Sequence, residues 1–285
     1  MRRLASAFLL IAACAKPHPP LSAVHDDLGR AVTVRQNVRR VVTLSPNLTE
    51  IVFAIGAGDK IVATDDYSDI PDAAKRLPKV GGMQPSLERI VSARPDLVLA
   101  PSSANYGALI AALASNNIPL YVVRTDRVDD IARVMEQLGA MLDAPRARIA
   151  SRLLIDGLHL QGLHLQRHKR AKAPRILFAA WADPLYVAGH KTYVDDLYAI
   201  TGAQNAVQVD GWPQYAIESV VASPPDILLH SSRLDVAPVF KNAPELLSRI
   251  RVVAIDENKY TRPGPHVVDA AADLNRIIDE WERSH

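Results

Sequence analysis

The chain has 285 residues, of which 48% are hydrophobic and 22% charged, and this composition excludes a disordered chain and a polytopic membrane protein. Its 33 Lys and Arg residues nearly balance 31 Asp and Glu residues, so no basic surface is expected and nucleic acid is not expected as a partner. The length allows one large domain or two ordinary ones.

The amino-terminal segment has the layout of an export signal: Arg2 and Arg3 precede an apolar stretch too short to span a bilayer, for which about 20 residues are needed. We predict a signal peptide at 1–13 and a tether at 14–23. The small residues before Cys14 resemble a bacterial lipobox, which would make Cys14 the lipidated first residue of an exported, periplasmic protein. Cleavage after Ala15 would instead remove the cysteine and release a soluble protein.

Two segments that lie 130 residues apart share one pattern. Residues 86–99 and 216–229 each read as a short helix, a Pro-Asp stop and a continuous apolar run typical of a buried parallel strand. Proline ends each helix because it lacks the N–H donor and disfavours helical geometry in the preceding residue. The identical pairs are Glu88/Glu218, Val91/Val221, Pro95/Pro225, Asp96/Asp226 and Leu99/Leu229.

A strand and a helix precede each copy. The strands are 40–44 and 175–179, and the helices 48–56 and 194–202 each end in a glycine suited to a left-handed C-cap. Because the same order occurs twice, we predict a two-lobed α/β protein with central parallel sheets, its lobes at 24–143 and 172–285. The composition of 144–171 favours one long connecting helix, and 265–281 has the spacing of an amphipathic helix.

The sequence resembles the cobalamin-binding members of the helical-backbone class (class III) of periplasmic binding proteins. The resemblance rests on segments 42–50, 67–71, 80–82, 87–90 with 95–96, and 262–265. It implies two α/β lobes joined by one long helix, with cobalamin or a related corrinoid bound in the cleft between them. It also implies a monomer that delivers this ligand to an ABC permease and its ATPase, without chemistry on the ligand and without a catalytic cofactor. The membrane is then a partner only through a lipid anchor.

The resemblance further implies that one glutamate on each lobe docks against arginines of the permease. Glu88 and Glu218 match that pattern, and the internal repeat marks the same two residues. A carboxylate–arginine pair is charge-assisted and can be bidentate, so it sets orientation as well as affinity. The alternative is that each glutamate only complements a helix dipole, an effect of about 0.3–1 kcal/mol.

For the ligand, the resemblance places aromatic side chains of both lobes around a corrinoid. Tyr67 and Trp212 match these positions, and their rings offer rigid apolar faces to a flat macrocycle; Arg262 matches a polar position. Packing in the core or at the rim is the alternative role for all three. Further candidate contacts are Ser45, Pro46 and Asn47, where a helix N-cap and free donors are expected, together with Gly82 and His266.

Three positions depart from the cobalamin-binding pattern. Gly82 and Pro101 stand where such proteins can carry tryptophan, and Asn258 stands where the resemblance predicts an aspartate. A less aromatic cleft is therefore expected. Haem-binding relatives tend to place an iron-ligating tyrosine where Gly82 follows Val80-Gly81, which disfavours haem. A ferric siderophore or haem on the same scaffold stays open as the alternative ligand.

Histidine spacing raises a second alternative, a surface metallo-enzyme. His164 and His168 lie one helical turn apart in the connecting segment, and His159 precedes them. Two imidazoles at this spacing can bind zinc or nickel, but a site needs further ligands, so a solvated helix face is favoured. The sequence has no Walker loop, no H-E-x-x-H and no G-x-S-x-G motif, so we do not expect an enzyme.

Overall fold

A computed structural model of the chain describes residues 21–167 and 172–284. The predicted signal peptide, Cys14 and His168 lie outside these residues. Within the described ranges, no helix combines the length and apolar character that crossing a membrane requires.

The N-terminal lobe contains one four-stranded sheet with helices on both faces. Its strands run parallel in the order β4-β3-β5-β6, and their near-complete burial agrees with the continuous apolar runs of the sequence. A two-stranded hairpin precedes the sheet. The elements are β1 (Leu21–His25), β2 (Ala31–Arg35), β3 (Val41–Thr43), α1 (Pro46–Ala54), β4 (Ile61–Thr64), α2 (Asp72–Lys75), α3 (Leu87–Ser92), β5 (Leu97–Pro101), α4 (Gly107–Ala114), β6 (Leu120–Val123) and α5 (Val128–Met141).

The C-terminal lobe follows a 21-residue helix, α6 (Ala147–Arg167). Its sheet has a parallel core, β11-β10-β7, with short β9 parallel to β7 and β8 antiparallel to it. The hairpin of β7 and β8 was not predicted. The elements are β7 (Arg175–Ala182), β8 (Leu185–Val187), α7 (Tyr193–Thr201), β9 (Gln204–Asn205), α8 (Ile217–Ala222), β10 (Ile227–Ser231), α9 (Pro244–Arg249), β11 (Arg251–Ile255), α10 (Glu257–Thr261) and α11 (Val267–Arg283).

Helix α6 joins the lobes and packs on both of them, against α5 on one side and against α7 and α11 on the other. At 1.5 Å per residue it spans about 31 Å. One apolar core continues from the N-terminal lobe through α6 into the C-terminal lobe, including Leu138, Leu154, Leu158 and Leu274. The predicted two-lobed α/β class with a backbone helix is confirmed, and the lobes share one hydrophobic core on the side of that helix.

Two glycines that the sequence marked as helix ends have the predicted left-handed backbone. Gly202 caps α7 with φ of 73°, and Gly56 follows α1 with φ of 82°. Glycine adopts this conformation without the steric cost that other residues incur. These two helix ends are therefore correctly predicted from the sequence.

Candidate ligand-binding cleft

A cleft with a volume of about 630 Å³ lies between the two lobes. On the N-terminal side its lining follows the carboxyl ends of the parallel strands: Leu44 comes after β3, Asp65 after β4, and Thr125 after β6. On the C-terminal side Trp181 lies near the carboxyl end of β7. Open α/β sheets commonly bind ligands at this end of their strands. The topology therefore places the candidate site in the cleft between the lobes.

Most of the predicted contact residues line this cleft. They are Ser45, Pro46, Asn47, Tyr67, Gly82, Trp212 and Arg262. His266 does not line it: its Nδ1 lies 3.0 Å from Oδ2 of Asp269, within the first turn of α11. Pro101 and Asn258, the other positions that depart from the cobalamin-binding pattern, also line the cleft.

Packing against two other rings fixes the position of Trp212 in the C-terminal lobe. The centroid of Trp212 lies 6.3 Å from that of Phe178 in an edge-to-face arrangement and 5.8 Å from that of Tyr193. The Tyr193 hydroxyl donates to the carbonyl oxygen of Tyr260, and burial raises the pKa of Tyr193 far above its ordinary value. Trp212 keeps 39% of its surface exposed, so one face of the indole is available to a ligand.

Trp181 is a second indole in the cleft, and the sequence interpretation missed it. It is 62% exposed, and its Nε1 donates to the carbonyl oxygen of Asp183 at 3.1 Å. A signal was present, because Trp181 follows a predicted strand at the carboxyl end where ligands bind. Trp181 lies in the unpredicted hairpin of β7 and β8, where it pairs with Tyr186.

Tyr67 supplies the aromatic ring of the N-terminal lobe, and Gly82 makes room for it. Tyr67 is 58% exposed. A Cβ atom at Gly82 would lie 3.0 Å from both Cε2 and Oη of Tyr67, closer than ordinary van der Waals contact. The next residue, Met83, also lines the cleft and is 81% exposed. The glycine that departs from the cobalamin-binding pattern therefore accommodates the Tyr67 ring, and a tryptophan there would displace it.

A buried chain of hydrogen bonds supports the Tyr67 backbone. The hydroxyl of Thr49 lies 2.6 Å from that of Thr43 and 2.7 Å from that of Ser68, and Ser68 donates to Asp65. Asp65 Oδ2 in turn accepts the backbone N–H of Tyr67 at 3.0 Å. Burial raises the pKa of Asp65, and the hydrogen bonds from Ser68 and Tyr67 offset only part of that effect.

The start of α1 differs from the expected cap. Ser45 occupies the predicted N-cap position, and its carbonyl oxygen accepts the N–H of Thr49, but its side chain makes no capping hydrogen bond. Pro46 at the first helical position has no N–H, which reduces the number of donors that need a cap. The buried Ser45 hydroxyl has no hydrogen-bond partner among the described residues, although it lines the cleft. Asn47 Nδ2 is occupied, lying 3.2 Å from Thr125 Oγ1 and 3.3 Å from the carbonyl oxygen of Pro263.

The guanidinium groups that line the described cleft are paired with carboxylates. Arg262 Nη1 lies 3.0 Å from Glu50 Oε1 and 2.6 Å from Asp69 Oδ1. Arg233 Nη1 lies 3.2 Å from Glu257 Oε1. Asp65 and Asp126 add further carboxylates, and burial raises the pKa of Asp126. The cleft consequently offers aromatic surface and acceptor oxygens, and each of its two arginines contacts a carboxylate.

Glu88 and Glu218 lie outside the cleft, in equivalent places on the two lobes. Glu88 is exposed in the first turn of α3, and Glu218 is exposed in the first turn of α8. The internal repeat therefore becomes a structural repeat, with one accessible carboxylate at the same point of each lobe.

The histidines of the connecting helix have other neighbours. His164 Nε2 lies 2.8 Å from Asp279 Oδ2 on α11, and His159 is exposed. Between residues 21 and 167 and between 172 and 284, no group of three or more His, Cys, Asp or Glu side chains is arranged to hold a metal ion. His168 lies outside these ranges.

The family match and the similar proteins point to the same family. Residues 41–254 match the family described as Periplasmic binding protein. A vitamin B12-binding protein of Yersinia pestis (strain Pestoides F) is 30% identical over 247 residues, 84% of this chain and 86% of that protein. The periplasmic heme-binding protein RhuT from Roseiflexus sp. RS-1 matches with a TM-score of 0.73 at 25% identity, over 86% of this chain and 99% of that one. The vitamin B12 binding protein BtuF of Vibrio cholerae shares the fold, with a TM-score of 0.72 at 23% identity over 86% and 98%.

Proposed function

The chain belongs to the periplasmic binding protein family, and on that premise we propose that it captures a corrinoid such as cobalamin as the substrate-binding component of an ABC importer. Members of this family are solute-binding proteins that deliver small ligands to ABC transporters. In this proposal the protein acts as a monomer in the periplasm and leaves its ligand chemically unchanged.

The observation that carries the proposal is a cleft with aromatic rings from both lobes and no unpaired cation among its described lining residues. Trp181 and Trp212 expose indole faces from the C-terminal lobe, and Tyr67 exposes a phenol ring from the N-terminal lobe. Large rigid rings are suited to the faces of a flat macrocycle. We propose Tyr67, Trp181 and Trp212 as the ring contacts, and the unpartnered Ser45 hydroxyl as a donor to a side-chain amide of the corrinoid.

The charge of the cleft favours a corrinoid over haem or an anionic ferric siderophore. Haem propionates and anionic chelates gain most from a free cation, whereas Arg233 and Arg262 already contact carboxylates. The amide side chains of a corrinoid are neutral and need no such cation. Burial and the neighbouring Asp65 also raise the pKa of Tyr106, which disfavours the phenolate form that ligates ferric iron.

Calorimetric titration of the mature protein with cyanocobalamin, haem and a ferric siderophore tests the ligand. We expect sub-micromolar binding at one site for cyanocobalamin and no comparable binding for the other two. Arg233→Gln serves as a charge probe, since it leaves Glu257 unpaired and makes the cleft more negative. Binding of an iron complex without binding of cyanocobalamin would contradict the proposal and leave the family assignment intact.

For the partner, we propose that Glu88 and Glu218 dock against arginines of the permease. Both are accessible, and each lies at the same point of its lobe, as a two-fold arrangement of permease subunits would require. We expect the Glu88→Ala, Glu218→Ala double variant to abolish corrinoid uptake by cells while its ligand affinity stays unchanged.

Glu245→Ala is the matched control for the docking test. Glu245 is also an exposed glutamate in the first turn of a short helix, α9, but it has no counterpart in the internal repeat. Its replacement should leave uptake unchanged. Normal uptake by the double variant, or equal loss in the control, would overturn the docking role.

We also propose export with lipidation at Cys14. Mass spectrometry of the mature protein from a membrane fraction distinguishes the two processing routes. A lipidated Cys14 at the amino terminus supports the anchor, whereas a soluble product that begins at Lys16 shows cleavage after Ala15 instead.

A further inference from the structure

Arg262 lies at the meeting point of the two lobes and contacts carboxylates of the opposite lobe. It follows α10 in the C-terminal lobe. Its partners belong to the N-terminal lobe: Glu50 on α1, with Oε1 at 3.0 Å, and Asp69 after β4, with Oδ1 at 2.6 Å. We call these three residues the Arg262 clamp.

Within the Arg262 clamp, the pair of Arg262 with Glu50 is largely buried, whereas the Asp69 side chain is 43% exposed. The side chain of Arg262 is 12% exposed and that of Glu50 is 2% exposed. Removal of one partner from a buried pair leaves an uncompensated charge, and this is far more costly than loss of a surface pair. Burial raises the pKa of Glu50, and Arg262 offsets part of that effect; Glu50 Oε2 has no hydrogen-bond partner among the described residues.

The same guanidinium also contacts the backbone next to a ring of the cleft. Arg262 Nη2 lies 3.4 Å from the carbonyl oxygen of Tyr67, and Asp69 is two residues further along. A guanidinium has five N–H donors in a fixed planar arrangement, so these contacts direct it toward the N-terminal lobe. It therefore contacts the segment that carries Tyr67 at two points.

From this geometry we infer that Glu50 and Asp69 are positioning residues, which hold Arg262 as an inter-lobe clamp that sets the lobe separation and the placement of Tyr67 before ligand enters. On the opposite side the lobes share the core around α6, so the clamp acts on the cleft side. A binding surface that is already ordered before the ligand arrives loses less conformational entropy on binding. Arg262 on this account serves ligand binding through Tyr67 and does not bind the ligand itself.

The first test measures lobe separation in the ligand-free protein. Spin labels are attached at Ser92→Cys on α3 and Ala222→Cys on α8, both exposed, in a Cys14→Ser background, and pulsed electron resonance gives the distance distribution. We expect broader distributions for Asp69→Asn, Glu50→Gln and Arg262→Gln. Lys259→Gln is the matched control, because it breaks a 2.7 Å pair with Asp273 inside the C-terminal lobe and should leave the distribution unchanged.

The second test measures affinity for cyanocobalamin, and only this readout depends on the function proposed above. Each clamp variant should lose affinity by about tenfold, the size typical of coupled contacts. The Glu50→Gln, Arg262→Gln double variant should lose no more than Arg262→Gln alone, because both changes remove the same interaction.

Asp69→Asn decides the outcome if the more buried variants fail to fold, since the Asp69 side chain is 43% exposed. Unchanged distance distributions in Asp69→Asn and in every folded variant would overturn the clamp, whatever the affinities. Affinity loss confined to Arg262→Gln, with Asp69→Asn and Glu50→Gln like the wild type, would also overturn it and would make Arg262 a direct ligand contact. A protein that binds no cyanocobalamin at all leaves the distance test valid.

Discussion

The two lobes repeat one order of elements, yet they fix their halves of the cleft by different means. In the C-terminal lobe, Trp212 packs its ring against Phe178 and Tyr193, so side-chain contacts determine where the indole lies. In the N-terminal lobe, the exposed Tyr67 ring is placed through its backbone, which Asp65 and Arg262 contact. One half therefore depends on apolar packing and the other on buried polar contacts.

This difference has a consequence for how each half responds to change. Apolar packing weakens gradually with lost contact area, whereas a buried polar chain fails when one member loses its partner. Loss of the Trp212 ring should therefore reduce both affinity and stability. In the N-terminal lobe, changes to the buried polar residues should alter stability and its pH dependence, whereas changes to the Tyr67 ring itself should alter stability little.

Trp212→Ala should produce the largest effect. Truncation of an aromatic side chain that contacts the ligand at the centre of a binding site costs about 2 kcal/mol or more, so we expect a loss of corrinoid affinity of about 30-fold. Stability should fall as well, because Phe178 and Tyr193 lose a ring contact. Calorimetric titration and denaturant unfolding measure the two effects, and Trp212→Phe should recover most of both. Unchanged affinity would show that the indole does not contact the ligand.

Thr49→Val should break the buried chain of the N-terminal lobe. The change keeps the side-chain shape but removes the hydroxyl that joins Thr43 to Ser68. Buried polar groups left without partners cost about 1–3 kcal/mol, so the free energy of unfolding should fall by that amount. Denaturant unfolding checks this, with Thr49→Ser as the control that retains the hydroxyl. Equal stability of the two variants would mean that the buried chain of hydrogen bonds contributes nothing to the free energy of unfolding.

The sequence could predict much of the scaffold, because the signals were local or repeated. The Pro-Asp stops ended helices at α3 and α8, and the glycines at 56 and 202 took the predicted left-handed backbone. The cleft was predicted less completely. Trp181 lies in an unpredicted hairpin, and Glu50 contacts Arg262 across 212 positions of sequence. Contacts of this kind depend on how the lobes meet, which no local pattern in the chain encodes.

Asp65→Asn should change how stability depends on pH. Because burial raises the pKa of Asp65, the folded protein binds this proton more tightly than the unfolded chain does. Its contribution to stability is therefore fully present below the ordinary value of 3.8 and is lost as pH rises through the raised pKa. The stability advantage of the wild type over the variant should shrink as the pH rises above 3.8, as measured by unfolding at a series of pH values. An advantage that grows with pH would show that the donors Ser68 and Tyr67 outweigh burial.

The smallest effect should follow from Tyr67→Phe. The ring is 58% exposed and its position is set through the backbone, so removal of the hydroxyl should change the free energy of unfolding by no more than about 0.5 kcal/mol. Tyr67→Ala should also change the free energy of unfolding by little more than this limit, because Asp65 and Arg262 still contact the same backbone groups. Corrinoid binding should nevertheless weaken. Denaturant unfolding beside Trp212→Ala makes the comparison direct. If Tyr67→Ala destabilised the fold as much as Trp212→Ala, ring packing would place both halves of the cleft, and the contrast between the lobes would be wrong.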